Sequence, residues 1–164
     1  MTDPTRTLTT GWSVATAAGV GLLVLALVPP LIGPEAGAVV HHAFGLVCHQ
    51  LSERSLHLGG EPVALCHRCL GMLAGLAVGL ALSPALSPRR LHTIVRSAQG
   101  RWLLIAGVPT AIDWSLGALG LWTNTPLSRT LTGALFGAVA GVVLAANLLA
   151  PPRFSTSPTP SLDA

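Results

Sequence analysis

The sequence predicts an all-α membrane protein, a bundle of about four transmembrane helices with a short re-entrant or interfacial helix before the second span. Three observations carry this. The chain has 164 residues, of which 51% are hydrophobic and only 9% charged, with a mean hydropathy of +0.65, outside the usual range of a soluble one-core domain. Long uncharged runs recur along it at lengths near the roughly 20 residues that cross a bilayer. The side chains capable of chemistry crowd into one stretch, Val47 to Gly71, which holds all three cysteines with His49, His57, His67, Arg54 and Arg68.

Taken in order, residues 1–10 form an N-terminal tail carrying Arg6, and the uncharged run 11–33 is the first span. A second reading of this region stays open, because Arg6, the apolar stretch Val14 to Val28 and the triplet Ala36-Gly37-Ala38 also imitate a secretory signal with its cleavage site. The mostly apolar segment Ala36 to Leu51 is too short to cross, which fits the re-entrant or interfacial helix. The second span covers residues 62–86, with Pro62 expected in its first turn. Spans three and four cover 102–122 and 127–150, so that 11–150 is one membrane domain. The tail 151–164 alternates Ser, Thr and Pro and is expected to be disordered.

Orientation follows from arginine placement, since short cytoplasmic loops are enriched in basic residues. Arg89, Arg90, Arg96 and Arg101 all lie between spans two and three. Placing them inside puts both termini in the cytoplasm and the Pro34 to Glu61 segment, with the Cys/His cluster, on the outer face of the inner membrane. The lipid bilayer is then the first partner. The net charge of +3 rests entirely on arginine, with no lysine, and gives no reason to expect a nucleic acid.

Helix packing is expected between spans two and four. Gly71, Gly75 and Gly79 form a stripe on one, and Gly133, Gly137 and Gly141 form another, a device that lets backbones approach closely in a membrane. Arg68 and Arg129 head these stripes as a basic collar beside the thiols. If the helix is regular, Cys66 and Cys69 lie about 60° apart on span two, well away from its glycines. Asp113, about nine residues from Trp122 and hence on the order of 13 Å below the outer boundary, is costly at that depth and marks a functional site. Arg129 or Arg54 is the expected partner. The tryptophans Trp12, Trp102 and Trp122 suit the membrane interfaces, whereas Trp114, beside Asp113, lies too deep for that.

The ordered set Cys48-His49-Gln50, Arg54-Ser55, Leu65-Cys66-His67-Arg68-Cys69 with Gly71, Asp113-Trp114, Thr123-Asn124, Arg129 and Thr132-Gly133 resembles an uncharacterised family of small prokaryotic integral membrane proteins, known chiefly as a domain of unknown function. The resemblance covers about Val39 to Gly141. It departs where the family commonly has an aromatic or Ile-Tyr pair after the glycine and this chain has Met72-Leu73. It implies a helical membrane fold and a set of suspect residues, but no activity.

Three readings of the cluster stay open. In the first, Cys48, Cys66 and Cys69 with His49 hold zinc, a metal suited to thiolate and imidazole and often held by a Cys-x₂-Cys pair; His67, His57 and His41 are the alternative fourth ligands. The site is then either structural or acts on, or binds, a lipid or small anionic ligand, with Asp113, Arg129 and Arg54 as its catalytic side chains. In the second, Cys66 and Cys69 cycle as a thiol–disulfide pair, resembling the quinone-linked disulfide-generating enzymes of bacterial membranes but lacking their second cysteine pair. In the third, the cysteines only staple the loop. Gln50, Arg54 and Ser55 are further candidates for an anionic head group. The sequence has no Walker-type loop, no dinucleotide fingerprint and no Cys-x-x-Cys-His haem site.

Overall fold

Glycine decides which helices lie closest in the computed structural model, which describes residues 4–85, 95 and 98–149, with side chains from residue 9 onward. Helix α1 runs over Pro4–Leu27, and a 3-10 turn at Pro29–Leu31 leads through Gly33 into α2, Pro34–Gly45. A β-hairpin of β1, Ser55–Leu58, and β2, Glu61–Cys66, precedes α3, His67–Leu82. Helices α4, Gln99–Ala118, and α5, Pro126–Leu148, complete the described chain.

A Cβ placed on Gly71, Gly75 or Gly79 of α3 would meet the carbonyl oxygens of Thr130, Ala134 and Ala138 at less than 3.0 Å, and one on Gly133, Gly137 or Gly141 would meet those of Arg68, Met72 and Leu76. The two expected stripes therefore do face each other. Their partners advance in step along both helices, so α3 and α5 run parallel.

Helix α4 runs the other way. Gln99 near its start donates to Asn147 near the end of α5 (3.0 Å), and Thr110 further along donates to the Thr132 carbonyl (3.0 Å). Helix α1 is antiparallel to α3, because the Trp12 indole donates to the Leu80 carbonyl (2.8 Å) while Ala26 packs in one cluster with Leu65. The end of α1, the start of α3, the end of α4 and the start of α5 thus gather at one mouth of the bundle.

Among the described residues, three helices are long and apolar enough to cross a membrane, over Thr9–Leu27, His67–Ala85 and Pro126–Leu148. Outside them, α4 is 20 residues long and includes Arg101, Pro109, Thr110, Asp113 and Ser115, which dilute its apolar character. Large apolar side chains nevertheless face outward on α1, α4 and α5, among them Val24, Leu104, Ile112 and Leu135. Such a surface suits hydrocarbon rather than water.

The second helix starts later than expected, and Pro62 lies in a strand. Residues Gly59 and Gly60 have φ of 62° and 92°, the positive pair of a two-residue hairpin turn, and they fold Ser55–Cys66 into an antiparallel ladder pairing Ser55 with Cys66 and Leu58 with Glu61. Cys66 keeps an extended backbone (φ −68°, ψ 159°) as the N-cap of α3. The regular helical relation expected between Cys66 and Cys69 does not apply. The segment expected to form a short helix, Ala36 to Leu51, is helical only as far as Gly45, the end of α2, before Cys48. The arginine loop residues Arg89, Arg90 and Arg96 and the tail 151–164 lie outside the described residues.

Candidate functional site

The cysteine loop is set by α2 and by one glutamine. After α2 the amides of Val47 and Cys48 both donate to the Phe44 carbonyl (3.1 and 3.0 Å), which turns Cys48 inward, where it is buried among Ala26, Phe44, Ala64 and Leu65. Gln50 then takes a left-handed backbone conformation, φ 49°, uncommon for a residue with a Cβ. Its side-chain amide donates to the carbonyls of His41 and Ala64 at 2.8 Å each. One side chain thereby ties the loop to both α2 and β2. Ser55, buried, donates to the Leu51 carbonyl (3.0 Å), and His67 Nδ1 sits 2.7 Å from the Arg54 carbonyl. A carbonyl can only accept, so Nδ1 carries the proton there.

These anchors bring three sulfurs together. Those of Cys48, Cys66 and Cys69 lie within 4.8 Å of one another, Cys48 buried and the other two half-buried, with all three thiols free. The Cys66 amide points at the Cys48 sulfur (3.4 Å). Hydrogen bonding from the Cys69 side chain, then from the Cys69 amide and Cys48, outweighs burial and pulls the Cys66 thiol down to about 5. Tetrahedral zinc at a zinc–sulfur distance of about 2.3 Å needs its sulfurs about 3.8 Å apart, so the spacing and the thiolate character of Cys66 fit a zinc ion. His49 is exposed on the cavity beside the cysteines. The group of three sulfurs does not include it, nor His41, His57 or His67.

Beside the sulfurs opens a cavity of about 460 Å³ lined by Arg54, Arg68, Arg129, Gln50, Asn124 and Trp114, among others. Asp113 is 8% exposed. Its partner is Arg68, not Arg129 or Arg54, through an Nη2 to Oδ2 ion pair. The reason is that α4 ends at Ala118, which puts Asp113 about 7 Å from the helix end by helical rise, level with the first turn of α3. Asn124 donates to the Asp113 backbone carbonyl (2.6 Å), and a Cβ on Gly117 would strike the Asn124 side chain.

The Arg68–Asp113–Asn124 connection was not assembled by sequence reasoning. Its signal was the arginine inside the Cys-x-Arg-Cys motif, next to Cys69 and two residues from Cys66. Arg54 is exposed and 3.9 Å from Glu53. Arg68 Nε is buried with no hydrogen-bond partner among the described residues.

Residues 48–143 match the family described as Predicted membrane protein (DUF2085). An uncharacterized protein of Methanocaldococcus jannaschii is 30% identical over 99 residues, 60% of this chain and 61% of that protein. The chain thus spans about three fifths of that relative's length. No solved structure matches the fold.

Proposed function

The chain belongs to the DUF2085 family of predicted membrane proteins, and from that premise we propose that it is a four-span protein holding zinc on Cys48, Cys66 and Cys69 at the outer mouth of the bundle, beside a cavity that takes an anionic ligand. The observation that carries the reading is the convergence of three thiols, from the loop after α2, the end of β2 and the first turn of α3, to within 4.8 Å of one another. Three protein ligands with one position left over is the pattern of zinc sites that meet a ligand. His49, exposed on the same cavity, is the candidate to close that position in a purely structural site. Zinc supplies Lewis acidity to such a centre. Arg54, Arg68 and Arg129 attract and orient an anion, and Asp113 holds Arg68 in place.

Four spans are favoured by helix direction. Two helices that both cross and run parallel require a return crossing between them, and α4 is the described helix that lies between them in sequence and packs antiparallel to α5. The outer-face orientation rests on the arginines of the loop between α3 and α4.

Cobalt loading tests the ligand set. The purified protein is expected to develop thiolate-to-cobalt charge-transfer absorption that each of Cys48→Ser, Cys66→Ser and Cys69→Ser weakens. Absorption unchanged by Cys48→Ser would remove that residue from the centre. The depressed Cys66 thiol beside Cys69 favours a second reading, in which the Cys66 thiolate attacks an external disulfide and Cys69 then displaces it from the mixed disulfide, so that the external disulfide leaves as two thiols and carries off the two electrons; it predicts that this pair is reversibly oxidised by a small disulfide in metal-free protein.

A further inference from the structure

A second concavity adjoins the cavity. It holds about 360 Å³, is lined by apolar side chains including Leu22, Phe44, Leu73, Leu76 and Phe136, and shares Val47 and Cys69 with the arginine-lined cavity. The two concavities therefore abut at these residues, one cationic and the other hydrocarbon-like. We infer that the two form one site for a lipid phosphate, with the phosphate among Arg54, Arg68 and Arg129 and a hydrocarbon chain in the groove between α1, α3 and α5. This rests on the anion cavity of the proposed function and not on the metal.

The head end is built for phosphate in three ways. Arginine forks match phosphate oxygens. Helices α3 and α5, 16 and 23 residues long, both start at this mouth and run parallel, so both positive dipole ends meet there. Arg68 spends one nitrogen on Asp113 while its buried Nε lacks an acceptor among the described residues, and a buried donor of this kind calls for a partner.

The tail end has the right depth. From Cys69 to Leu76 the groove follows α3 for about 10 Å, and from Arg129 the helix α5 reaches Ala140, on the groove, after about 16 Å. That is about half of a hydrocarbon core of about 30 Å. A chain lying in the groove stays within one leaflet, with its head at the interface where the arginines are.

Calorimetric titration in maltoside micelles tests this, with dodecyl phosphate and inorganic phosphate as probes and zinc content measured on the same samples. Dodecyl phosphate is expected to bind at least tenfold more tightly than inorganic phosphate. Arg54→Gln, on the exposed loop, and Arg129→Gln should each weaken dodecyl phosphate at least tenfold. Ala140→Phe, which fills the groove, should weaken dodecyl phosphate while leaving inorganic phosphate unchanged, with the melting temperature of each variant verifying that it folds.

Equal affinity for the two probes, insensitive to Ala140→Phe, would mean a free anion occupies the cavity and would overturn the lipid assignment. Indifference to both arginine variants would overturn the head assignment. A zinc-loaded protein that binds inorganic phosphate but no dodecyl phosphate overturns this inference alone, one that binds neither overturns the anion cavity with it, and a zinc-free protein that binds dodecyl phosphate overturns only the metal reading.

Discussion

Asp113 and Arg68 meet at the cavity beside the cysteines, both largely withdrawn from solvent, at 8% and 19% side-chain exposure. Removing one partner leaves the other charge buried and alone, which costs roughly 3–5 kcal/mol, while replacing both with apolar groups is often close to neutral. Asp113→Asn is therefore expected to lower stability in detergent by about that amount, and Asp113→Leu combined with Arg68→Met to recover most of it; equal losses in the single and double variants, read by chemical unfolding, would contradict the pairing. Sequence reasoning found Asp113 because an intramembrane carboxylate stands out, and it found Arg68 because the arginine sits between two cysteines. It could not join them, because the pairing depends on where α4 ends and how it packs. Gln50 is similar: it was a candidate for an anionic head group, yet its amide is spent on the carbonyls of His41 and Ala64. A side chain that binds backbone across two elements leaves no local signature in sequence.

At the scale of elements, the glycine stripes were the most legible feature. Their four-residue spacing on two apolar helices specified close contact, and Gly75 against Ala134 and Gly137 against Met72 realise it. Gly75→Leu and Gly137→Leu should each force the two backbones apart and lower the melting temperature, at a cost of about 1–3 kcal/mol or more. Gly21→Leu on α1, where an added Cβ meets nothing within 4 Å, should not lower it, because leucine is the better helix former; a similar loss in all three would contradict the assignment of the stripes to close helix contact. The hairpin was less legible. The segment around Pro62 read as the start of an apolar helix, although Gly59-Gly60 already carried the turn signal. Cys66 gains its place from that hairpin, which delivers it to the helix cap with its amide aimed at Cys48. The three-sulfur group is legible as a cluster of residue types, and His49, named with it, lines the cavity beside it.

For the whole molecule, direction matters more than helix count. Parallel α3 and α5 with α4 returning between them put the cysteines, Asp113 and all three cavity arginines at one mouth, and on the proposed four-span reading the α3–α4 and α4–α5 connections lie on opposite sides. Reporter domains fused after residue 90 and after residue 122 are expected to report cytoplasmic and external locations respectively; the same side for both would remove α4 as a crossing. The positive-inside pattern supplies an expected orientation from arginines alone, whereas the bundling of the four helix ends around a cavity required the packed structure. Whether the gathered thiols hold a metal is decided by elemental analysis of the detergent-purified protein with a parallel free-thiol count. About one zinc per chain is expected of a single centre with three thiolate ligands, lost in Cys66→Ser combined with Cys69→Ser. A wild-type protein without metal whose Cys66 and Cys69 are joined in a reversible disulfide would contradict it.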